Sequence, residues 1–144
     1  MVYDVWGPWS SLAGPNAPLN DTCSTHKEGS AVSSVRAWTS AKFPSDKIVL
    51  GVPSYGHSYF VKNADAIKNG KLQPYPPFDA SKQPAGDSWD GPAGVDQCGN
   101  ATPVGGIFNF WGLVEGGFLN TQGYANPVPG IYHRFDSCSQ TVRR

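Results

Sequence analysis

The apolar positions of this chain follow two regimes that change at Gly56. Residues 1–6, rich in Val and Tyr, predict a short strand. Residues 7–28 carry Gly7, Pro8, Gly14, Pro15, Asn16, Pro18 and Asn20, which break any period and predict a loop. A loop of about twenty residues is uncommon unless it serves a function. Ser30 is placed to cap a helix, in which Ala31, Val32, Val35, Trp38 and Phe43 recur at helical spacing. Ser33, Ser34, Arg36 and Lys42 fall on the opposite, solvated face, and Trp38 is expected in the core. Pro44 ends the helix, because the residue before a proline is pushed out of the α region. Residues 48–53 run Ile-Val-Leu-Gly-Val-Pro without alternation, the pattern of a strand buried on both faces of a parallel sheet. Residues 1–56 therefore predict one right-handed βαβ unit, an α/β arrangement.

Beyond Gly56 the apolar groups are short and broken by Tyr75-Pro76-Pro77, Asp90-Gly91-Pro92, Gly105-Gly106, Gly116-Gly117 and Pro129-Gly130. Residues 107–111 predict a strand, 112–119 a short helical turn, and 131–135 a half-buried antiparallel strand. Residues 57–144 thus read as a small α+β module, with Trp89 and Trp111 expected to pack inside it. One βαβ unit leaves its buried strand without neighbours. Either the second region supplies them, or the unit belongs to a larger parallel sheet; the unbroken apolarity of residues 48–52 favours the larger sheet.

Composition narrows the function. The 11 basic and 11 acidic residues cancel, so no electrostatic footprint for nucleic acid or an anionic membrane exists. Aromatics reach 12% while charged residues are only 15%, which describes a folded, loop-rich chain. No segment approaches the ~20 apolar residues of a membrane span, and the first residues lack the pattern of a signal peptide. Asn20-Asp21-Thr22 and Asn100-Ala101-Thr102 are glycosylation sequons, which suit a secreted protein. Cys23, Cys98 and Cys138 allow three single pairings; Cys98–Cys138 is the expected one, since both lie in the same half of the chain. His26, His57 and His133 are far apart and no CxxC occurs, so neither a metal site nor a cofactor is expected.

Two motifs carry a family resemblance. Met1-Val2-Tyr3-Asp4, followed by Gly7 and Trp9, resembles the Met-x-Tyr-Asp motif on the sixth barrel strand of glycoside hydrolase family 18 chitinases. Gly51-Val52-Pro53-Ser54-Tyr55-Gly56-His57 resembles the Gly-Val-Pro-x-Tyr-Gly stretch that ends the seventh strand. The resemblance implies that residues 1–56 are one βαβ segment of a TIM (β/α)8 barrel. It further implies that residues 57–144 are the α+β insertion that walls the cleft, with wording similar to secreted fungal chitinases. The family's catalytic string, Asp-x-x-Asp-x-Asp-x-Glu, is not in this sequence; the nearest, Asp87-Ser88-Trp89-Asp90, continues into Gly91-Pro92.

Residue roles follow from the same resemblance. In a TIM barrel the carboxyl ends of strands build the active site. In this family the substrate's N-acetyl oxygen attacks the anomeric carbon, so the site must hold the acetamido group. Tyr3 would hydrogen-bond the acetamido oxygen, Asp4 would contact the sugar near the scissile bond, and Tyr55 would line the cleft beside them. Trp6 and Trp9 would stack on pyranose rings, whose CH faces suit indole. His57 stands where several family members carry Arg toward the sugar, and offers one hydrogen bond in place of a bidentate pair. The expected function is that of part of a chitinase acting on β-1,4-linked N-acetylglucosamine polymers. That part supplies substrate-binding residues and is inactive alone; a non-catalytic chitin- or glycan-binding module of the same fold is the alternative. Chitin oligomers are the expected partners, and the oligomeric state is open.

Overall fold

The computed structural model describes residues 2–126, 134–136, 139 and 141–143. The helix α1, Ala31–Ser40, begins where the sequence predicts. The Ser30 hydroxyl accepts the Ser33 N–H at 3.1 Å, and the Ser33 hydroxyl accepts the Ser30 N–H at 2.8 Å. Two of the helix's orphan donors are thereby satisfied reciprocally. Ser30 is fully buried and also donates to the Asp21 carboxylate at 2.8 Å, which ties the helix start to the long loop.

The other end of α1 is closed by Lys42, at φ +67°. The Lys42 N–H bonds the Thr39 carbonyl and the Phe43 N–H bonds the Trp38 carbonyl, the Schellman pattern. The accompanying apolar contact is Trp38 against Phe43, with ring centroids 5.4 Å apart. Trp38 is therefore exposed and serves the helix end, not the core as its spacing predicts.

The βαβ unit does not form. Residues 2–6 and 48–53 adopt no strand, and one bond, Val2 N–H to the Gly51 carbonyl at 3.3 Å, joins the two segments. Val49 is 91% exposed. A parallel strand needs a ladder on both edges and cover on both faces, and the described residues offer residues 48–53 neither.

Every strand pair among the described residues is antiparallel and two-stranded. The strand β1, Tyr55–His57, was not expected. The helix α2, Asn63–Ala66, leads into the hairpin of β2, Ile67–Lys68, and β3, Lys71–Leu72. A second hairpin joins β4, Gly94–Val95, to β5, Ala101–Thr102. Then β6, Ile107–Asn109, returns to pair with β1 in the register Tyr55↔Asn109, Gly56↔Phe108, His57↔Ile107. It runs into α3, Phe110–Glu115, two residues ahead of the predicted turn. Finally β7, Arg134–Asp136, pairs with β8, Thr141–Arg143; residues 131–133 of the predicted strand lie outside the described residues.

The segment 86–90 is fastened to β6 by two carboxylates. Asp90 accepts the N–H groups of Gly86 and Gly106 at 2.8 Å each and of Ile107 at 3.1 Å. Asp87 accepts the Asn109 N–H at 2.6 Å and the Trp89 N–H at 2.9 Å. Burial pushes the Asp90 carboxyl up, but bonds from the backbone of Gly86, Ile107, Gly106 and Gly91 outweigh it and hold the group below the usual carboxylate range. Gly86 lies so close to the Ile107 carbonyl that a Cβ would collide with it. Trp89 and Trp111, expected inside the module, are both exposed and meet edge to face at 6.4 Å.

The expected Cys98–Cys138 disulfide is not formed. Cys98 is a free thiol on the exposed tip of the β4–β5 hairpin, whereas Cys23 is disulfide-bonded. The reason is spatial. The Leu19 N–H bonds the Ser139 carbonyl at 2.9 Å, and Cys23 shares one hollow with Asp136 and Ser139. Asp136 and Ser139 thus lie against the 19–25 loop. Cys138 itself is outside the described residues.

Candidate functional site

Asp4 gathers the site. Its backbone sits at φ +55°, a left-handed conformation that strains a residue with a Cβ and that Asp tolerates better than most. Asn16 holds this turn. Its side-chain oxygen accepts the Asp4 N–H at 2.8 Å, and its carbonyl accepts the Val5 N–H at 3.1 Å. Its side-chain amide also donates to the Tyr55 carbonyl at 2.9 Å, so Asn16 staples the first segment to β1. Sequence reasoning missed Asn16; the one available signal is its place in a loop too long to be idle.

On β1, Tyr55 and His57 are two residues apart and so share a face. Both reach Asp4. The Tyr55 hydroxyl donates to Asp4 Oδ1 at 2.7 Å, and His57 Nε2 lies 3.1 Å from the same oxygen. The Tyr55 hydroxyl is pushed up to about 12. Burial is the main cause, followed by the hydrogen bond to Asp4, its negative charge and the nearby Tyr3; Asn16 opposes them. The phenol therefore stays protonated and remains a donor.

Aromatic rings enclose the group. The Tyr3 ring meets Tyr55 edge-on at 6.3 Å, and Trp9 meets His57 edge-on at 5.6 Å. Trp9 is 64% exposed, offering a flat apolar surface beside the polar cluster. Tyr3, Asp4, Trp9, Tyr55 and His57 thus lie together.

Trp6 is not part of that group. It is 3% exposed and packs at 5.3 Å from the Tyr75 ring, over a Gly14 whose Cβ would strike the indole. A ring so enclosed has no face left for a sugar. Trp6 is a core residue that anchors the long loop, which corrects the stacking role expected for it.

The chemistry on offer is recognition of a neutral polar ligand with an apolar face. The Asp4 carboxylate can accept, the Tyr55 hydroxyl already donates to it, and the exposed Trp9 indole offers a face for stacking. Among the described residues no three His, Cys, Asp or Glu side chains converge as a metal site requires, and no helix is long and apolar enough to cross a membrane.

Comparison with known proteins places the chain in a family. The family model described as glycosyl hydrolases family 18 matches residues 1–116, and the chain belongs to that family. A chitinase-like effector of Moniliophthora roreri is 56% identical over 98% of this chain and 35% of its own length. A chitinase from Rhizomucor miehei superposes with a TM-score of 0.76 at 30% identity, over 99% of this chain and 37% of that one. A chitinase from Cycas revoluta, solved with (GlcNAc)4, shares the fold with a TM-score of 0.59 at 22% identity, over 99% of this chain and 30% of that one. The chain spans about a third of the length of these relatives.

Proposed function

We propose that this chain supplies the saccharide-binding wall of a chitinase-like glycoside hydrolase that acts on β-1,4-linked N-acetylglucosamine polymers. The observation that carries the reading is the convergence on Asp4. Two segments 51 residues apart place Tyr55 and Asp4 in a 2.7 Å hydrogen bond, with Tyr3 and the exposed Trp9 beside them. Tyr3 donates to the acetamido oxygen, Asp4 accepts from an amide N–H or a hydroxyl, and Trp9 stacks on a ring face. In substrate-assisted hydrolysis these contacts hold the acetamido group while its oxygen attacks, with retention of configuration. A chitinase neighbour of the same fold holds (GlcNAc)4, which supports oligomers of this sugar as the ligand.

In this reading residues 1–56 correspond to one βαβ segment of a (β/α)8 barrel, whose strands would need the sheet neighbours of the parent protein to form, and residues 57–144 to the insertion beside it. The exposure of residues 49–52 supports that assignment, because these apolar side chains suit cover by further barrel elements. The catalytic Asp-x-x-Asp-x-Asp-x-Glu string is not in the sequence, so we assign this chain binding without turnover. We place the parent protein outside the cell, with Asn20 and Asn100 as glycan acceptors. Asn100 stands on the exposed β4–β5 hairpin.

A second reading, a non-catalytic glycan-binding module, is favoured by one observation: the Moniliophthora roreri relative is named an effector. Titration of the chain with the N-acetylglucosamine tetramer, followed by calorimetry, tests the binding shared by both. Binding weakened about tenfold or more by Asp4→Ala and by Trp9→Ala is expected. Unchanged affinity in both variants overturns the assignment. Oligomer hydrolysis by this chain alone contradicts binding without turnover.

A further inference from the structure

His57 has a side chain only 5% exposed, wedged between the rings of Trp9 and Tyr55. Its Nε2 faces Asp4 Oδ1, a carboxylate acceptor, so Nε2 carries the hydrogen and donates. Nδ1 is buried and meets no hydrogen-bond partner among the described residues. The ring's one usable donor is therefore spent on Asp4, and its other nitrogen is sealed. Little of His57 remains to present to a sugar, although its place in the sequence suggests direct contact.

Asp4 is the residue that benefits. Its side chain is 41% exposed, and its backbone is strained at φ +55°. Left alone, such a carboxylate samples several orientations. Here Oδ1 accepts two donors, at 2.7 Å from Tyr55 and 3.1 Å from His57. Oδ2 makes no hydrogen bond among the described residues and stays open to a ligand.

We propose that His57 is a positioning residue: its Nε2–H and the Tyr55 hydroxyl clamp one oxygen of Asp4, so that the other is held to accept from an N–H or O–H of the saccharide. This rests on the binding reading given above. It assigns His57 no contact with the ligand, and it makes every effect of His57 pass through Asp4.

A double-mutant cycle with the N-acetylglucosamine tetramer tests it in the full chain. His57→Leu removes the donor and weakens binding about tenfold. His57→Gln keeps an amide N–H at the position of Nε2 and restores most of the loss. In the Asp4→Ala background His57→Leu adds nothing, because two residues that act as a unit are not additive. Additive losses, or a Gln variant as weak as Leu, overturn the proposal. Nitrogen NMR of the free protein supplies a ligand-independent arm. The imidazole signals must report the Nε2–H tautomer and move on Asp4→Ala; the other tautomer, or signals unmoved, overturns the clamp. If the unsubstituted chain binds no tetramer, the binding reading fails, and the imidazole signals still decide whether the clamp exists.

Discussion

Replacing Asp90 by Asn changes one oxygen for an NH2 group and leaves the shape intact. Asp90 Oδ2 accepts two backbone donors and Oδ1 a third. If the Asn carbonyl takes the Oδ2 position, its NH2 group meets the Ile107 N–H, donor against donor. If it takes the other position, two donors are left unmatched. One half-buried unmatched donor costs about 1–3 kcal/mol, and each remaining bond falls from charge-assisted to neutral strength, about 0.5–1 kcal/mol apiece. The expected loss is about 2–5 kcal/mol, which urea denaturation reads as a midpoint lowered by about 1–3 M. The effect must also depend on pH in a definite sense. The Asp90 carboxyl is held below its ordinary range in the folded chain. Its contribution is therefore present above the unfolded carboxylate pKa of about 3.9, and is lost as pH falls through the lower folded value. The gap between wild type and Asp90→Asn should thus be full at about pH 7 and narrow on acidification. A gap of the same size across that range, or none at neutral pH, refutes the account of how segment 86–90 is held to β6.

Three further outcomes are expected. In an ultraviolet titration one tyrosine should ionise near 12, about two units late, and Tyr55→Phe should delete that step. Because the folded value is raised, Tyr55's contribution to stability is present below about pH 10 and is lost as pH rises through 12. Lys42→Gly should raise stability by about 0.5–1 kcal/mol in denaturant melts, since glycine adopts the left-handed closure of α1 without a Cβ penalty. Cys98 should react with a thiol reagent in the native protein while Cys23 does not, and Cys98→Ser should abolish that reaction without lowering the melting temperature.

Local signals were legible where local physics decides. Ser30, the helical spacing and Pro44 bound α1 to within a few residues, because capping and proline sterics act on neighbours. The β-branched and aromatic run at 107–111 marked β6 over Ile107–Asn109, whereas Phe110 and Trp111 open α3. The strand at 48–53 was misread in a different way: its apolarity reports an environment of sheet neighbours, and a segment cannot ladder without them. Tyr55–His57 became strand β1 only because β6 returns from about fifty residues away, a pairing no window reveals. The site followed the same division. Tyr3, Asp4, Trp9, Tyr55 and His57 were visible as motifs. Trp6 was placed wrongly because exposure depends on Gly14 and Tyr75 closing over it. Asn16 was missed because its role exists only between segments far apart in the chain.

Recognition of N-acetylglucosamine chains is the role proposed for Asp4 and its surrounding rings. Backbone and indole NMR signals of the 144-residue chain, followed while the N-acetylglucosamine tetramer is added, test it most directly. The account predicts saturable shifts centred on Tyr3, Asp4, Trp9 and Tyr55, with the Trp6 indole unmoved. No shifts, or shifts centred away from Asp4, would contradict it.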